Sequence, residues 1–294
     1  MTAALLSAAG VEPGPGARVK LWKALAPGGA AWQSPFMPEP RQYCDAALGA
    51  GAGIELSAEA ARHVGTVLRL RVGDHVRLFN ARDGEWRARL TRIDKKGALV
   101  VAEALVRPAR ACPALDLLFA PLKRQATDLI VEKATELGVR RIRPVFTRRT
   151  VAETVRLDRL NAIAQSAAEQ TERFDLPEIC EAVPLAKALD GWDEGRRLIY
   201  ADESGDDDGA PWGGETGRAV PLLQALAFPP PLVPAKLALL IGPEGGFTLE
   251  ERAMLRALPF VTPVSLGPRI LRAETAVISA LSVIQAAWGD WLQP

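Results

Sequence analysis

Two loops late in the chain combine glycine with polar and apolar residues in a way that suits ligand binding. In the first, the apolar run Leu237–Ile241 leads into Gly242-Pro243-Glu244-Gly245-Gly246, and a helix is predicted to begin at Thr248. Glycine lets a backbone approach a ligand closely, and open α/β sheets bind ligands beyond the carboxyl ends of their strands. The loop has neither the Gly-Lys-Ser/Thr of a phosphate loop nor the G-x-G-x-x-G of a dinucleotide-binding fold. Taken alone, it is equally consistent with a structural strand-to-helix turn.

The second loop follows about twenty residues later and leads from Val264 into the last predicted helix. Ile270 and Leu271 are apolar at its tip, where solvent favours polar residues, so we expect them to line a ligand. Arg272 and Glu274 stand at the start of the helix, where a cation is unfavourable unless it meets an anion. For Arg272 alone, the sequence favours a simpler explanation, an ion pair with a nearby carboxylate of the protein. Two such loops together indicate a ligand site more specifically than either one.

The chain has few of the histidines and cysteines that metal sites and catalytic triads require. There are two histidines, His63 and His75, and no CxxC or HExxH motif, so we expect no metal and no Ser-His-Asp triad. The cysteines, Cys44, Cys112 and Cys180, are odd in number and far apart, which argues against a disulfide framework and favours a reducing cytoplasm. Catalysis is therefore expected to use backbone groups, arginines, carboxylates and amides.

The chain shows no sign of membrane insertion. No apolar run reaches the roughly 18 residues that a membrane span needs, and no cationic segment precedes the short Ala/Leu run at the N-terminus. We therefore expect a cytoplasmic protein with no membrane partner.

Charge is uneven along the chain although its net value is only +1. Residues 37–110 carry 13 Lys/Arg against 9 Asp/Glu, residues 111–175 carry 11 against 9, and residues 176–294 carry 9 against 16. This distribution favours a polyanionic partner on the N-terminal side. Arginines scattered over solvated faces would give the same counts.

The elements that must position these loops fall into two predicted domains. Residues 1–36, rich in Gly, Pro and Ala, are expected to be a loose extension, and Met37 could be the natural start. Residues 37–108 show short strand-like runs, a turn at Asp83-Gly84 and one helix capped by Ser57, which together predict a small β-barrel-like domain.

Residues 112–294 alternate strands with helices, which predicts an α/β domain. Leu115–Phe119 is a continuous apolar run, typical of a strand buried on both faces. Helices are predicted over residues 128–137, 157–173 and 273–288. The acidic, glycine-rich stretch 203–217 is expected to be an exposed loop.

Together, "LIGPEGGF" and "LGPRILRAETA" resemble the RsmE family, which belongs to the SPOUT class of knotted methyltransferases. The resemblance extends to "HVGTVLRLRVGD" (63–74), "EKATELGV" (132–139) and "AAEQTERFDLPEI" (167–179), and it covers roughly residues 37–294.

The resemblance implies a PUA-like RNA-binding β-barrel over residues 37–108 and a SPOUT domain with a deep trefoil knot over residues 112–294. It also implies a homodimer that methylates N3 of a uridine in 16S rRNA of the small ribosomal subunit, with S-adenosyl-L-methionine as cofactor. Backbone groups of the two loops would hold the adenine. The cofactor contacts then fall on Ile241, Gly242, Glu244, Gly245, Leu266, Gly267, Ile270, Leu271, Arg272, Thr275 and Ala276.

The proton on uridine N3 must leave for methyl transfer, which calls for a general base or for a cation that stabilises the anionic ring. The catalytic candidates are Arg272, Glu169 and Glu274. Glu169 and Arg173 are four residues apart and could simply form a surface ion pair. The candidates for RNA binding are the basic residues Arg41, Arg62, His63, Arg69, Lys123, Arg124, Arg148, Arg149 and Arg173.

The chain departs from the family pattern in three places. After Glu-Gln it has Thr171-Glu172, where the family has a small residue and Gly. The loop near residue 206 and the 36-residue N-terminal extension look foreign to the family.

Two other functions remain. One alternative function is a SPOUT ribose 2′-O methyltransferase. The sequence Ser265-Leu266-Gly267-Pro268 argues against it, because those enzymes tend to have "SLN" there. The other alternative is a non-catalytic RNA-binding assembly factor. The intact glycines and the full motif from Arg272 to Ala276 argue against it, because such a protein has no need to keep cofactor loops.

Overall fold

From Arg41 to Arg107 the chain forms a five-stranded sheet in the computed structural model of the protein. The structure describes residues 39–94, 97–110, 112–207, 209–210, 213–226 and 236–292. The extension predicted for residues 1–36, and Met37 after it, lie outside these ranges. The strands are β1 (Arg41–Tyr43), β2 (Gly53–Leu56), β3 (His75–Asn80), β4 (Gly84–Asp94) and β5 (Gly97–Arg107), in the order β1-β3-β4-β5-β2.

β1 pairs with β3 in parallel, and the other neighbours are antiparallel. Alternate residues of β3 and β4 face the core of this sheet, where Val76, Leu78, Ala88 and Leu90 have no exposed surface. The predicted turn at Asp83-Gly84 joins β3 to β4, and Gly84 has a φ of +81°, a conformation that favours glycine.

A short helix, α1 (Ala58–Arg62), follows β2 and continues as one π-helical turn, His63–Val67. The predicted cap is confirmed, because the Ser57 hydroxyl accepts a hydrogen bond from the Ala60 amide at 3.1 Å. Ala61 and Val64 face the sheet and are buried, while Arg62 and His63 are exposed. The apolar spacing of this segment therefore sends its basic side chains to the solvent.

The rest of the chain forms a parallel sheet covered by helices, which confirms the predicted α/β class. Its strands are β6 (Leu115–Phe119), β7 (Arg141–Phe146), β8 (Glu178–Ile179), β9 (Val183–Pro184), β10 (Arg196–Ala201), β11 (Val220–Pro221), β12 (Lys236–Ile241) and β13 (Val261–Ser265). They run in the order β11-β13-β10-β12-β6-β7-β8, and β9 also pairs with β7. The helices are α2 (Arg124–Glu136), α3 (Leu157–Gln170), α4 (Leu185–Leu189), α5 (Leu222–Ala225), α6 (Leu249–Ala257) and α7 (Ala273–Trp288).

The predicted bounds of β6 and α7 are confirmed, whereas α2 and α3 differ from prediction. α2 begins at Arg124, four residues before the predicted residue 128. α3 ends at Gln170 and does not reach residue 173. Glu172 has a φ of +61°, so the backbone cannot continue a right-handed helix there. The residue that departs from the family pattern thus adopts the conformation that glycine would favour.

The last helix, α7, packs into the core of the parallel sheet. Val277, Ala280, Leu281 and Ile284 have no exposed surface. The Gln285 amide donates a hydrogen bond of 2.5 Å to the Leu137 carbonyl at the end of α2. This contact holds the C-terminal helix in place, and with it the loop that precedes α7.

Candidate functional site

The two glycine-containing loops follow strands that end at one edge of the parallel sheet. The first loop follows β12 and the second follows β13, but these strands are not neighbours, because β10 lies between them. The loop after β10 begins with Asp202 and Glu203 and therefore enters between the other two. All three loops line one cleft of about 220 Å³ beyond the carboxyl ends of the strands.

Nine of the eleven predicted cofactor residues line this cleft. They are Ile241, Gly242, Glu244, Leu266, Gly267, Ile270, Leu271, Arg272 and Ala276. Gly245 instead accepts a hydrogen bond of 2.7 Å through its carbonyl from Arg149, and Thr275 is exposed on the first turn of α7. Sequence reasoning missed Ala201, Asp202, Glu203, Pro243, Val264, Ser265, Arg269 and Ala273, which also line the cleft. Ala201, Asp202 and Glu203 reach the cleft because they lie at the end of β10, which stands between β12 and β13 in the sheet.

The glycines of the two loops are required for different reasons. A Cβ on Gly242 would lie 2.6 Å from the Phe247 ring, so this glycine makes room for a buried aromatic side chain. Phe247 in turn packs edge-on against Tyr200, with ring centroids 5.0 Å apart. Gly267 has a φ of +109°, and a Cβ there would meet nothing within 4 Å. Gly242 therefore makes room for Phe247, whereas Gly267 is favoured by its backbone conformation.

The lining fits a nucleoside-type ligand such as S-adenosylmethionine. Ile241, Val264, Leu266 and Leu271 supply an apolar wall, and the loop backbone supplies amide and carbonyl groups. Among the described residues, no group of three or more His, Cys, Asp or Glu side chains is placed to hold a metal ion. None of the described helices is long and apolar enough to cross a bilayer.

Arg272 is the N-cap residue of α7, and its exposed side chain lines the cleft. Within the part of the chain that the structure describes, no carboxylate forms an ion pair with its guanidinium, although the sequence left such a partner open. Glu274 lies two residues further on, half-buried in the first turn of α7. A cation without a partner at a helix N-terminus is suited to an anionic group on a ligand.

Glu169 lies at the contact between α3 and the N-terminal sheet. Its Oε1 accepts hydrogen bonds from the Gln42 amide at 2.7 Å, the Tyr43 backbone amide at 3.2 Å and the Gln165 amide at 3.0 Å. These donors occupy one oxygen of the carboxylate and join α3 to β1. The structure therefore gives Glu169 a role in joining the two sheets. Neither Glu169 nor Glu274 is among the residues that line the cleft with Arg272.

Arg41 is also part of this contact, and the structure contradicts the prediction that it binds RNA. Its side chain is 7% exposed and donates to Glu85 at 2.7 Å. It also donates to three carbonyls at the end of α3, those of Ala168, Glu169 and Arg173, at 2.9, 3.1 and 3.0 Å. Burial lowers the pKa of Arg41 despite the hydrogen bond and charge of Glu85. A polyanion cannot reach a guanidinium whose donors face the interior.

The same correction applies to Arg173. Its side chain is 5% exposed, pairs with Asp175 at 2.7 Å and donates to the Thr135 carbonyl at 2.9 Å. Sequence reasoning could not detect this burial, because arginine in a basic region is as consistent with an RNA contact as with an internal ion pair.

The other candidates for RNA binding remain exposed. They are Arg62, His63, Arg69, Lys123, Arg124, Arg148 and Arg149. Lys123 and Arg124 line a second cleft of about 500 Å³ at the start of α2, together with Arg156. The Arg148 amide donates to Glu251 at 2.8 Å, and the Arg149 guanidinium donates to the first glycine loop. Arg149 thus connects the end of β7 to the cofactor cleft.

Comparison with known proteins gives the family. A model of an RNA methyltransferase domain matches residues 110–285, and a model of an RNA methyltransferase PUA domain matches residues 56–103. The ribosomal RNA small subunit methyltransferase E of Rickettsia conorii is 31% identical over 246 residues, which are 83% of this chain and 94% of the relative. The chain belongs to the RsmE family of RNA methyltransferases.

Solved structures agree with membership of the RsmE family. A methyltransferase from Legionella pneumophila in complex with bound SAM is 33% identical, with a TM-score of 0.71, covering 86% of this chain and all of that one. The ribosomal RNA small subunit methyltransferase E of Neisseria gonorrhoeae, bound to S-adenosyl methionine, is 27% identical, with a TM-score of 0.70 and the same coverage. These matches confirm the α/β methyltransferase fold and the accessory PUA domain expected from the sequence.

Proposed function

We propose that this chain is an S-adenosyl-L-methionine-dependent methyltransferase acting on N3 of a specific uridine in 16S rRNA of the small ribosomal subunit. The observation that carries the proposal is the cleft where the loops after β10, β12 and β13 meet, with the unpaired Arg272 on its wall. The relatives named ribosomal RNA small subunit methyltransferase E and the SAM-bound neighbours support the same activity.

The residues of the cleft have separate roles in this proposal. The two loops bind the cofactor through their backbone and through the apolar wall of Leu266 and Leu271. Bound S-adenosylmethionine supplies an electrophilic methyl group. Arg272 offsets the negative charge that develops on the uracil ring as N3 loses its proton. Glu274, in the first turn of the same helix, is the proposed proton acceptor. Holding the reactants in place supplies much of the remaining rate.

The finer features of the family form part of the proposal. They are a deep trefoil knot within residues 112–294, a closed PUA-like barrel within residues 37–108, a homodimer and a cytoplasmic location. The burial of α7 behind the second loop supports the knot, and the half-buried, uncharged residues Ile278, Ser279, Ser282 and Val283 on α7 support an interface. Light scattering of the purified protein tests the dimer, because a monomer mass would reject it.

The exposed basic residues support the RNA substrate. Arg62, His63 and Arg69 lie on or just after the helical segment that follows β2, while Lys123 and Arg124 lie at the start of α2, so the exposed cations include members from both domains. Phosphate contacts from such residues position an RNA without selecting its sequence. Selection of the uridine is then left to the cleft.

The test is methylation of 16S rRNA in small subunits isolated from a strain that lacks the enzyme. Methylation at N3 blocks base pairing, so reverse transcription should stop one nucleotide before the target. A ribose 2′-O product would instead make the site resistant to alkali and would support the first alternative. Calorimetry with S-adenosylmethionine tests the second alternative, the non-catalytic assembly factor. A chain that does not bind the cofactor would reject the proposed enzyme.

A further inference from the structure

Glu203 brings a carboxylate to the wall of the cleft from the loop after β10. A Cβ built on Gly246 would lie 2.8 Å from Oε1 of Glu203, which is closer than two such atoms normally approach. Gly246 also has a φ of +67°. The first glycine loop therefore lacks a side chain at the point where the Glu203 carboxylate comes against it.

Asp202 and Glu203 are neighbours with different surroundings. Asp202 is 3% exposed and forms ion pairs with Arg252 at 3.0 Å and Arg256 at 2.7 Å. Arg252 also donates to the Ser204 and Gly205 carbonyls, both at 2.8 Å. The sequence predicted an exposed loop over 203–217, but its first residues are fixed against α6 by these contacts.

Glu203 has no comparable partner. Among the residues that the structure describes, no side chain donates a hydrogen bond to its carboxylate, although the residue is half-buried. Burial raises the pKa of Glu203, and the charge on Asp202 adds to this effect. The backbone amide of Glu203 itself donates to the carboxylate, which offsets part of the cost of burial. No side chain does so, and a ligand that supplies a further donor relieves the remaining cost.

We propose that Glu203 is a cofactor-binding residue whose carboxylate accepts hydrogen bonds from S-adenosylmethionine. This inference rests on the proposed function. The cofactor offers three kinds of donor, the ribose hydroxyls, the amino group of adenine and the ammonium of its amino-acid part, and an ionised carboxylate can only accept. Of the three acidic residues that line the cleft, Asp202 is held by arginines and Glu244 is exposed, so Glu203 is the one that is both shielded and unpaired.

The contacts of Asp202 give Glu203 a defined position. The Arg252 guanidinium lies 7% exposed between α6 and the loop, and its donors hold the Asp202 carboxylate before Glu203 and the Ser204 carbonyl after it. A carboxylate held in this way does not have to be ordered when the ligand binds, which lowers the entropic cost of binding.

The test compares Glu203→Gln with Glu215→Gln by calorimetry on the full chain. Glu215 belongs to the same loop, is 91% exposed and pairs only loosely with Arg218 at 3.5 Å, so its substitution removes the same charge away from the cleft. We expect Kd for S-adenosylmethionine and for S-adenosylhomocysteine to rise about 10-fold or more in Glu203→Gln. Glu215→Gln should bind as the wild type does.

The ligand 5′-methylthioadenosine separates the nucleoside donors from the ammonium, because it has the adenine and the ribose but no amino-acid part. Weaker binding of this ligand to Glu203→Gln places the carboxylate at the ribose hydroxyls or the adenine amino group, and unchanged binding places it at the ammonium. Without ligand, Glu203→Gln should melt no lower than the wild type, since the substitution removes a charge that burial disfavours. The cofactor should then raise its melting temperature less.

Two results would overturn the inference while leaving the proposed function intact. One is a Glu203→Gln protein that binds S-adenosylmethionine as the wild type does. The other is an unchanged Kd with a lower kcat, because that pattern belongs to a proton acceptor and not to a cofactor ligand. A wild-type chain that fails to bind S-adenosylmethionine rejects the proposed function itself.

Discussion

Replacing Arg41 with methionine tests whether the contact between the two sheets is a buried charge network. The substitution keeps an unbranched apolar side chain and removes the donors to Glu85, to two carbonyls of α3 and to the Arg173 carbonyl just after it. Glu85 has no exposed surface and would keep only Arg107, at 2.6 Å. Removing one partner of a buried pair typically costs about 3–5 kcal/mol.

Because Arg107 still pairs with Glu85, we expect a loss at the lower end, about 3 kcal/mol of unfolding free energy. For a chain of this size that corresponds to roughly 6–12 °C in melting temperature. Thermal unfolding followed by circular dichroism measures it. The matched control is Arg87→Met, because Arg87 is 44% exposed and pairs with Glu39 at the surface. Such a pair contributes at most about 1 kcal/mol.

The pH dependence gives a second measurement. Burial acts to raise the pKa of Glu85, but hydrogen bonds from Arg41 and Arg107 outweigh it and hold the pKa below the usual 4.5. A lowered pKa in the folded state stabilises the protein above the unfolded value, and this contribution is lost as the pH falls through the folded value. The difference in unfolding free energy between Arg41→Met and the wild type should therefore shrink as the pH falls below 4.5.

One result would refute this reasoning. If Arg41→Met melts as the wild type does, but binds RNA more weakly and with a smaller dependence on salt, then Arg41 contacts phosphate. The original prediction from the sequence would then be right, and the buried contact would be wrong.

Three further predictions concern the cleft and the RNA surface. Arg272→Ala should lower kcat about 10²–10³-fold without lowering the melting temperature, as expected for an exposed residue that stabilises developing charge; a lower melting temperature would instead indicate a structural role. Arg62→Ala and Arg69→Ala should each reduce the slope of log affinity against log salt by about 1 if they contact phosphate, and filter binding at several salt concentrations checks this. Gly242→Ala should cost about 1–3 kcal/mol, because its methyl group would lie 2.6 Å from the Phe247 ring. Chemical denaturation measures that cost, and an unchanged midpoint would show that the ring can move.

The elements that the sequence predicted well are those whose signal is local. β6 is a continuous apolar run and α7 has helical periodicity with small and apolar residues, so both have the predicted bounds. The two glycine loops were likewise identified from their own residues, and nine of the eleven residues carried over from the family line one cleft.

The features that the sequence did not predict depend on strand order or on burial. β10 lies between β12 and β13 in space but far from both in sequence, so Glu203 could not be assigned to the cleft. Arg41 and Arg173 have the residue type of an RNA contact, and only the tertiary packing shows that both are buried, Arg41 between β1 and α3 and Arg173 against the end of α2. The left-handed Glu172 ended α3 early, and an Ala-rich helical pattern gives no warning of such a residue.

The hydrogen bonds of Arg41 fix the distance between the exposed cations of the N-terminal domain and the cleft. Since one guanidinium is bonded both to β4 and to the end of α3, the exposed cations of the N-terminal sheet cannot move relative to the cleft without breaking buried hydrogen bonds. For an RNA held by Arg62 and Arg69, the spacing between the anchored phosphates and the base entering the cleft is set by the protein. An RNA whose folded shape places no uridine at that spacing would bind without being modified.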